Sequence, residues 1–255
     1  EFVLCFKIPK KSLDVYWILF SSSSPDWCED VGPEYCEQKN LILINDCAPA
    51  LFGKHKGRAI ASYGDFSVLS FFADKTITTG EGGMLLTDVP ELIEESNIYK
   101  HDGRKERGHD LIEKRGFNFR LTEFQSAVGV AQLSKGPGFA RRKIEILQLY
   151  KSHLSRLSRI QVFNFNSNEE IVPHRIIILT SDSEKLIEHL VSKGIGARTL
   201  FKPMHSQPCY DIRHSYPNSE KLFKNGLELP SYPSLEDSQI SFICEVIMQY
   251  YRKIK

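Results

Sequence analysis

FSVLSFFADKTITTGEGG, residues Phe66 to Gly83, is a run of strand formers that ends in a small polar loop holding a single lysine, Lys75. Phe66 to Phe72 reads as a strand. Thr76, Ile77, Thr78 and Thr79 follow the lysine, then Gly80, Gly82 and Gly83, then a second apolar run from Met84. Three glycines in four positions predict backbone at positive φ or in close approach to another group. A lysine behind Phe71 and Phe72 at a strand's end is placed where loss of water favours the neutral amine, a nucleophile. A glycine turn between two strands, with a solvated lysine beside it, accounts for the same residues.

Working upstream, Leu41 to Ile44 is a short continuous apolar run stopped by Asn45 and Asp46. That is how a strand buried on both faces of a parallel sheet reads. Asp46 falls at its carboxyl end, where open α/β sheets receive ligands. Capping the next turn is its structural alternative. Val15 to Phe20 reads as a further strand, Ser21 to Ser24 as a loop, and Asp26 to Lys39 as a helix interrupted at Gly32 and Pro33. Gly57 to Gly64 reads as a loop.

Downstream, Met84 to Thr87 is a strand, and Pro90 opens a helix with Glu91, Glu94 and Glu95 early in it. Lys100 to Arg115 is highly charged and has no apolar period, which predicts a mobile or partner-facing loop. His101 and His109 lie there without further ligands at a metal-binding spacing. Thr122 and Gln125 form a capping box, and Phe124, Ala127, Val128 and Ala131 share one face of the helix it opens, predicting packing on a core. Gly136, Pro137 and Gly138 predict a break, with a second helix from Phe139 to Leu157 whose Ile144, Leu147 and Tyr150 face inward.

The rest reads as a separate small domain, so the expected boundaries are residues 1–138 and 139–255. His174 to Thr180 is a strand, Ser183 to Lys193 a helix stopped by Gly194, and Ala197 to Leu200 a strand. A loop rich in Pro, His and Tyr covers Lys202 to Asn218. The last helix starts at Ser234, with Asp237 completing a capping box and Ile240, Cys244, Ile247 and Tyr251 as its buried stripe.

Composition excludes several classes. The 255 residues suggest about 1.7 domains. With 33 basic and 32 acidic residues the net charge is +1, so no overall field draws nucleic acid or anionic lipid. No apolar run reaches membrane-spanning length. Lys7, Lys10 and Lys11 are not followed by the apolar core of a signal peptide. Six scattered cysteines without C-x-x-C spacing predict inert thiols rather than disulfides or a metal site. The expected class is a soluble, cytoplasmic α/β protein without a metal.

Several pieces then occur in one order: Ile44 to Ala50 (INDCAPA), Gly64 with Asp65, Ser70 to Lys75 (SFFADK), Thr78 to Gly83 (TTGEGG), Gly116 to Arg120 (GFNFR) with Thr122 and Glu123, and Ala131 to Leu133 (AQL). The tail adds Phe201 to Pro208 (FKPMHSQP), Tyr210, and Leu229 with Pro230. Together they resemble the DegT-type sugar aminotransferases, enzymes that use pyridoxal 5'-phosphate (PLP) to aminate keto-sugars carried on nucleotides. The likeness is nearest to the branch of perosamine-type synthases, and it runs from about residue 35 to the C-terminus.

The resemblance implies an α/β chain of the type I PLP-dependent aminotransferase fold. It would comprise a truncated large domain with a mainly parallel sheet and a small C-terminal α/β domain. Lys75 matches the lysine that carries PLP and moves a proton during transfer. Asp46 matches the carboxylate facing the pyridine nitrogen, where a charge-assisted bond keeps the ring protonated. Ser70 matches a hydroxyl on the cofactor phosphate. Asn118 matches a residue that reaches the cofactor phosphate of a neighbouring subunit, which implies a homodimer with shared sites. His205 lies where the family approaches the sugar nucleotide. Glutamate would be the amino donor and a nucleotide-linked 4-keto-6-deoxy sugar the acceptor, serving amino-sugar or surface polysaccharide synthesis.

Two departures bear on activity. Pro49 stands where many members carry a glutamine. The family's N-terminal stretch, with a glycine–threonine helix start for the phosphate and an aromatic residue that stacks on the ring, has no counterpart in residues 1–35. A catalytically impaired or non-enzymatic family member is therefore one alternative, and reliance on a partner chain another expectation. A dehydratase of the same fold carries histidine in place of the lysine, and Lys75 argues against it.

Overall fold

The computed structural model describes residues 15–19, 33–106, 108–163, 169–210 and 214–253. The chain divides into two compact units: Glu1–Gly138 with Asn166–Val172, and Phe139–Phe165 with Pro173–Lys255.

The first unit is organised on β1 (Val15–Leu19), α1 (Pro33–Gln38), β2 (Ile42–Asp46), β3 (Lys54–His55), β4 (Arg58–Ala59), β5 (Phe66–Ser70), β6 (Gly83–Leu86) and α2 (Pro90–Lys100). Its main sheet has the order β1-β2-β5-β6. β2 lies parallel to β1 and to β5, with Asp46 opposite Leu19 on one side and Val68 on the other. β6 runs antiparallel to β5, setting Ser70 opposite Gly83. The sheet is therefore mixed, and the smaller sheets are antiparallel throughout. Among the described residues, parallel pairing is confined to β1, β2 and β5. The loop after β5 returns into β6 as the antiparallel neighbour of β5.

β2 and β5 both alternate between buried and half-buried residues, not the continuous burial expected of the apolar run. Leu43 and Asn45 point to the sealed face, as do Ser67 and Leu69. The crossover between the two strands contains the hairpin of β3 and β4 and a 3-10 turn at Ile60–Ser62, in place of the plain loop expected at Gly57 to Gly64.

The long helix α3 (Glu123–Leu154) is unbroken through Pro137, so the predicted break at Gly136–Gly138 does not occur. Proline's fixed φ fits a helix, although Pro137 has no N–H to give to the preceding turn. The glycine before it answers a packing demand instead: a Cβ on Gly136 would sit 2.1 Å from the Phe52 ring. The Thr122–Gln125 box forms as expected, with Gln125 N–H donating to Thr122 Oγ1 at 3.2 Å and Thr122 N–H to Gln125 Oε1 at 3.0 Å. The face carrying Phe124, Ala127 and Ala131 is not packed on a core; Phe124 is 78% exposed. Periodicity marks a face but does not say what covers it.

The second unit continues with β7 (Gln161–Val162), while β8 (Glu169–Glu170) pairs back with β3 in the first unit. Then follow β9 (Ile176–Leu179), α4 (Ser183–Ser192), β10 (Arg198–Thr199), α5 (Pro217–Asn225), β11 (Gly226–Leu229) and α6 (Asp237–Lys253). The sheet order is β10-β11-β9-β7, all antiparallel. Its core joins Ile146, Tyr150 and Leu154 of α3 to Ile178, Leu190, Leu227 and the α6 stripe of Ile240, Cys244, Ile247 and Tyr251. That stripe was legible in the sequence. The capping motif was not: α6 starts at Asp237, and Gln239 Oε1 accepts from Glu236 N–H at 3.0 Å in place of a Ser234–Asp237 box. α5 begins at Pro217, inside the loop expected to run to Asn218, and the rest of α5 and β11 occupy a stretch to which no element was assigned from the sequence. The expectations for residues 20–32 and for most of the first 35 fall outside the described residues.

No helix among the described residues is long and apolar enough to cross a membrane, and none of their His, Cys, Asp and Glu side chains form a group of three or more able to hold a metal ion. None of Cys36, Cys47, Cys209 and Cys244 is in a disulfide; the first, second and fourth are buried and Cys209 is exposed. Burial pushes the thiols of Cys47 and Cys244 up to about 12. Thiolate, the reactive form, is therefore scarce there at neutral pH. Above the ordinary thiol range the unfolded chain loses these protons before the folded one, so stability falls as pH rises through that window. Under native conditions at pH 8, iodoacetamide should modify Cys209 and spare Cys36, Cys47 and Cys244; peptide mass spectrometry of native against urea-unfolded chain reads this directly. In the second unit, Ile247→Ala should lower unfolding free energy by about 2–5 kcal/mol in urea titration. Phe242→Ala on the exposed side of the same helix (52% exposed) should stay within about 0.5 kcal/mol.

Candidate active site

Asp46 ends β2 and Ser70 ends β5, so both stand at the carboxyl edge of one parallel strand pair. The register between those strands is fixed by side chains. Asp65 Oδ2 accepts from Leu43 N–H at 2.8 Å, Asp65 N–H donates to Leu43 O at 3.0 Å, and buried Asn45 donates from Nδ2 to Ile60 O at 2.8 Å. Asp46 is half-buried, and its Oδ1 accepts from Ala48 N–H at 3.0 Å. Its other oxygen accepts no hydrogen bond from the described residues. The structural alternative and the functional one thus use different oxygens of one carboxylate.

The loop from Phe71 to Gly82 is held at its neck. Phe71 O accepts from Thr79 N–H and from Thr78 Oγ1, each at 3.0 Å, while Phe71 N–H donates to Gly82 O at 2.9 Å. Thr76 and Ile77 are buried. Gly80 and Gly82 take φ of +81° and +144°, and a Cβ on Gly82 would come 2.7 Å from Leu121. The glycine run is thus required by conformation and by close approach, as its spacing predicts. Lys75 projects from this clamped loop with its side chain 19% exposed; the one ion pair it makes among the described residues, to Asp74 Oδ1, is long at 3.9 Å. Ser70 Oγ accepts from Phe72 N–H at 3.3 Å.

Two residues that sequence reasoning passed over hold the lysine loop from α3. Gln125 Nε2 donates to Glu81 O at 3.1 Å, and Gln132 Oε1 accepts from Thr78 N–H at 3.4 Å. Gln132 belongs to the AQL triplet and Gln125 to the capping box, so both were visible in the sequence without this role attached to them.

Asn118 lies apart from this loop, on an exposed extended segment bridged to His101. Its Oδ1 accepts from Arg120 Nε at 2.9 Å. Phe117 and Phe119 flank it, stacked on each other at 4.9 Å and both exposed. His205 belongs to the second unit, where its Nε2 lies 3.1 Å from Glu220 Oε1 and its ring packs 4.9 Å from that of Tyr216. The structure therefore brings Asp46, Ser70 and the Lys75 loop to one strand edge, and it sets Asn118 on the surface of the same unit.

Comparison with known proteins agrees with this architecture. Residues 30–248 match the profile of the DegT/DnrJ/EryC1/StrS aminotransferase family. The chain is 37% identical over 225 residues to the GDP-perosamine synthase of Escherichia coli O157:H7, covering 86% of this chain and 60% of that protein. It is 33% identical over 233 residues to the GDP-perosamine synthase of Vibrio cholerae, covering 87% and 62%. Among solved structures, the aminotransferase TlmJ from Streptoalloteichus hindustanus superposes with a TM-score of 0.85 at 24% identity, covering 94% of this chain and 66% of that one. Helicobacter pylori PseC gives the same TM-score, identity and coverage. These likenesses show the type I aminotransferase fold, with mixed and antiparallel sheets. The chain spans about 60% of the length of the curated relatives it matches. On the profile match and the identity to its relatives, the chain belongs to the DegT/DnrJ/EryC1/StrS aminotransferase family.

Proposed function

We propose that this chain is a PLP-dependent aminotransferase that moves an amino group from glutamate to a nucleotide-linked keto-sugar, of the 4-keto-6-deoxy class, for amino-sugar or surface polysaccharide synthesis in the cytoplasm. The observation that carries the reading is the sharing of one parallel strand edge by Asp46, Ser70 and the clamped Lys75 loop. Bound PLP would supply an aldehyde that takes the amino group and a pyridine ring that draws electron density from the reacting carbon.

The residues present suit that group. The Asp46 oxygen left without a partner is an acceptor for a protonated ring nitrogen, and the Ala48 N–H on the other oxygen keeps the carboxylate from rotating away. Lys75 is the one side chain of its loop able both to bond covalently through nitrogen and to carry a proton. Its weak contact with Asp74 leaves it little to break before acting. The clamp from Phe71, Gln125 and Gln132 limits the backbone freedom of the loop that bears it. Ser70 adds a hydroxyl at the same edge for the phosphate.

A homodimer belongs to the same proposal. Arg120 occupies the carbonyl oxygen of Asn118, which leaves the amide N–H groups to donate, as a phosphate requires. Phe117 and Phe119 beside Asn118, and Phe124 in the first turn of α3, are exposed apolar side chains of the kind found at subunit contacts. We assign this face to a second copy of the chain.

Purified chain given PLP should develop the absorbance of a lysine-bound cofactor and lose it on adding glutamate. Lys75→Ala should abolish both signals, and Asp46→Asn should slow amino transfer on the order of a hundredfold or more; a colourless chain indifferent to PLP would sink the reading. Phe124→Asp should shift the chain from dimer to monomer in sedimentation velocity, since a charge placed in an apolar contact loses its water without gaining a partner.

A further inference from the structure

One stripe of α3 faces the lysine loop. Gln125, Gly129 and Gln132 follow one another at four and three residues, so they share a side of the helix, and each meets the loop. Gln125 Nε2 donates to Glu81 O at 3.1 Å, a Cβ on Gly129 would stand 3.2 Å from Thr79 Cγ2, and Gln132 Oε1 accepts from Thr78 N–H at 3.4 Å. The neck at Phe71 and Gly82 fixes the two ends of the loop but not its tilt. The contacts with α3 fix the tilt, and with it the direction of Lys75.

The two glutamines have opposite polarity: Gln132 accepts from a backbone N–H, whereas Gln125 donates to a backbone carbonyl. The Gln125 amide cannot be turned round, because its Oε1 is taken by Thr122 N–H and Thr122 Oγ1, each at 3.0 Å. One side chain therefore closes the capping box with its oxygen and holds the lysine loop with its nitrogen. A capping box works with glutamate as well as with glutamine. A donor to Glu81 O does not, since an ionised carboxylate only accepts. Glu81 O also accepts from Thr79 Oγ1 at 2.6 Å, one residue before Gly82 at the neck.

We infer that Gln125 is a positioning residue for Lys75: its amide nitrogen ties the lysine loop to α3 and so fixes where the Lys75 amine is presented. This rests on the reading that Lys75 carries PLP. The alternative is that Gln125 serves the helix cap alone, in which case glutamate would do as well at this position.

The test makes the same kind of substitution at both positions of the full chain. Gln125→Glu keeps the cap and removes the donor, while Gln132→Glu keeps the acceptor that Thr78 N–H meets. Without PLP, amide hydrogen exchange of residues 72–82 should be about tenfold faster in Gln125→Glu than in wild type, with exchange of residues 123–128 unchanged. On adding PLP, the absorbance of the lysine-bound cofactor should form about tenfold more slowly in Gln125→Glu. Gln132→Glu should stay within about twofold of wild type in both measurements. Wild-type exchange of the loop in Gln125→Glu, or equal effects of the two substitutions, overturns the inference. So does a loosened loop that takes up PLP at the wild-type rate. A wild-type chain that never takes up PLP sinks the proposed function instead, and the exchange measurement still decides whether the tether from α3 holds the loop.

Discussion

The crossover from β2 to β5 is pinned by three hydrogen bonds, and the site depends on them. Asp65 engages both the N–H and the C=O of Leu43, and Asn45 reaches from the sealed face to Ile60 O. A single hydrogen bond of this kind contributes roughly 0.5–1.5 kcal/mol, or about 1.5–3 when it involves a charged group. Their effect on register matters more than their sum. A slip of one residue would turn Asp46 to the sealed face and bring Asn45 out. Asn45 Oδ1 is buried without a partner among the described residues, a cost of about 1–3 kcal/mol. An apolar residue would avoid that cost but would leave the crossover turn unheld.

The second unit solves a different problem. Its sheet has one face on the core of Ile178, Leu227 and Leu229, while Glu228, between the last two, is also nearly sealed from solvent. Arg175 Nη1 and Arg198 Nε reach the same Glu228 oxygen at 3.0 and 2.7 Å. A carboxylate this buried is tolerated because planar guanidiniums satisfy it in fixed directions. Lys143, also buried, gives its ammonium to His174 O at 3.0 Å. Charged groups thus tie β10, β11, α3 and the residues leading into β9 together.

The lysine loop shows how chemistry is kept apart from structural support. Phe71, Thr78, Thr79 and the two glutamines of α3 take up backbone polar groups of the loop, while among the described residues Lys75 is left with one weak ion pair. Asp46 repeats the pattern, with one oxygen spent on Ala48 and the other left over. Asn118 does the same through Arg120. In each case one end of a polar side chain is anchored so that the opposite end has a definite direction, which is what preorganisation requires.

How much of this could be read from the chain depends on the range of the interaction. Alternation and apolar runs located β1, β2, β5 and β6, the capping residues located the start of α3, and the glycines after Lys75 announced their own backbone, because each of these is settled by neighbours a few residues away. The order of motifs from Asp46 to His205 was also legible and led to the family. The sequence could not say that the Phe124 face stays uncovered, that α3 runs through Pro137, or that Gln125 and Gln132 orient residues elsewhere in the chain. Those outcomes are set by what packs opposite, such as the Phe52 ring on Gly136, and contacts between distant residues exist only once the chain has closed on itself.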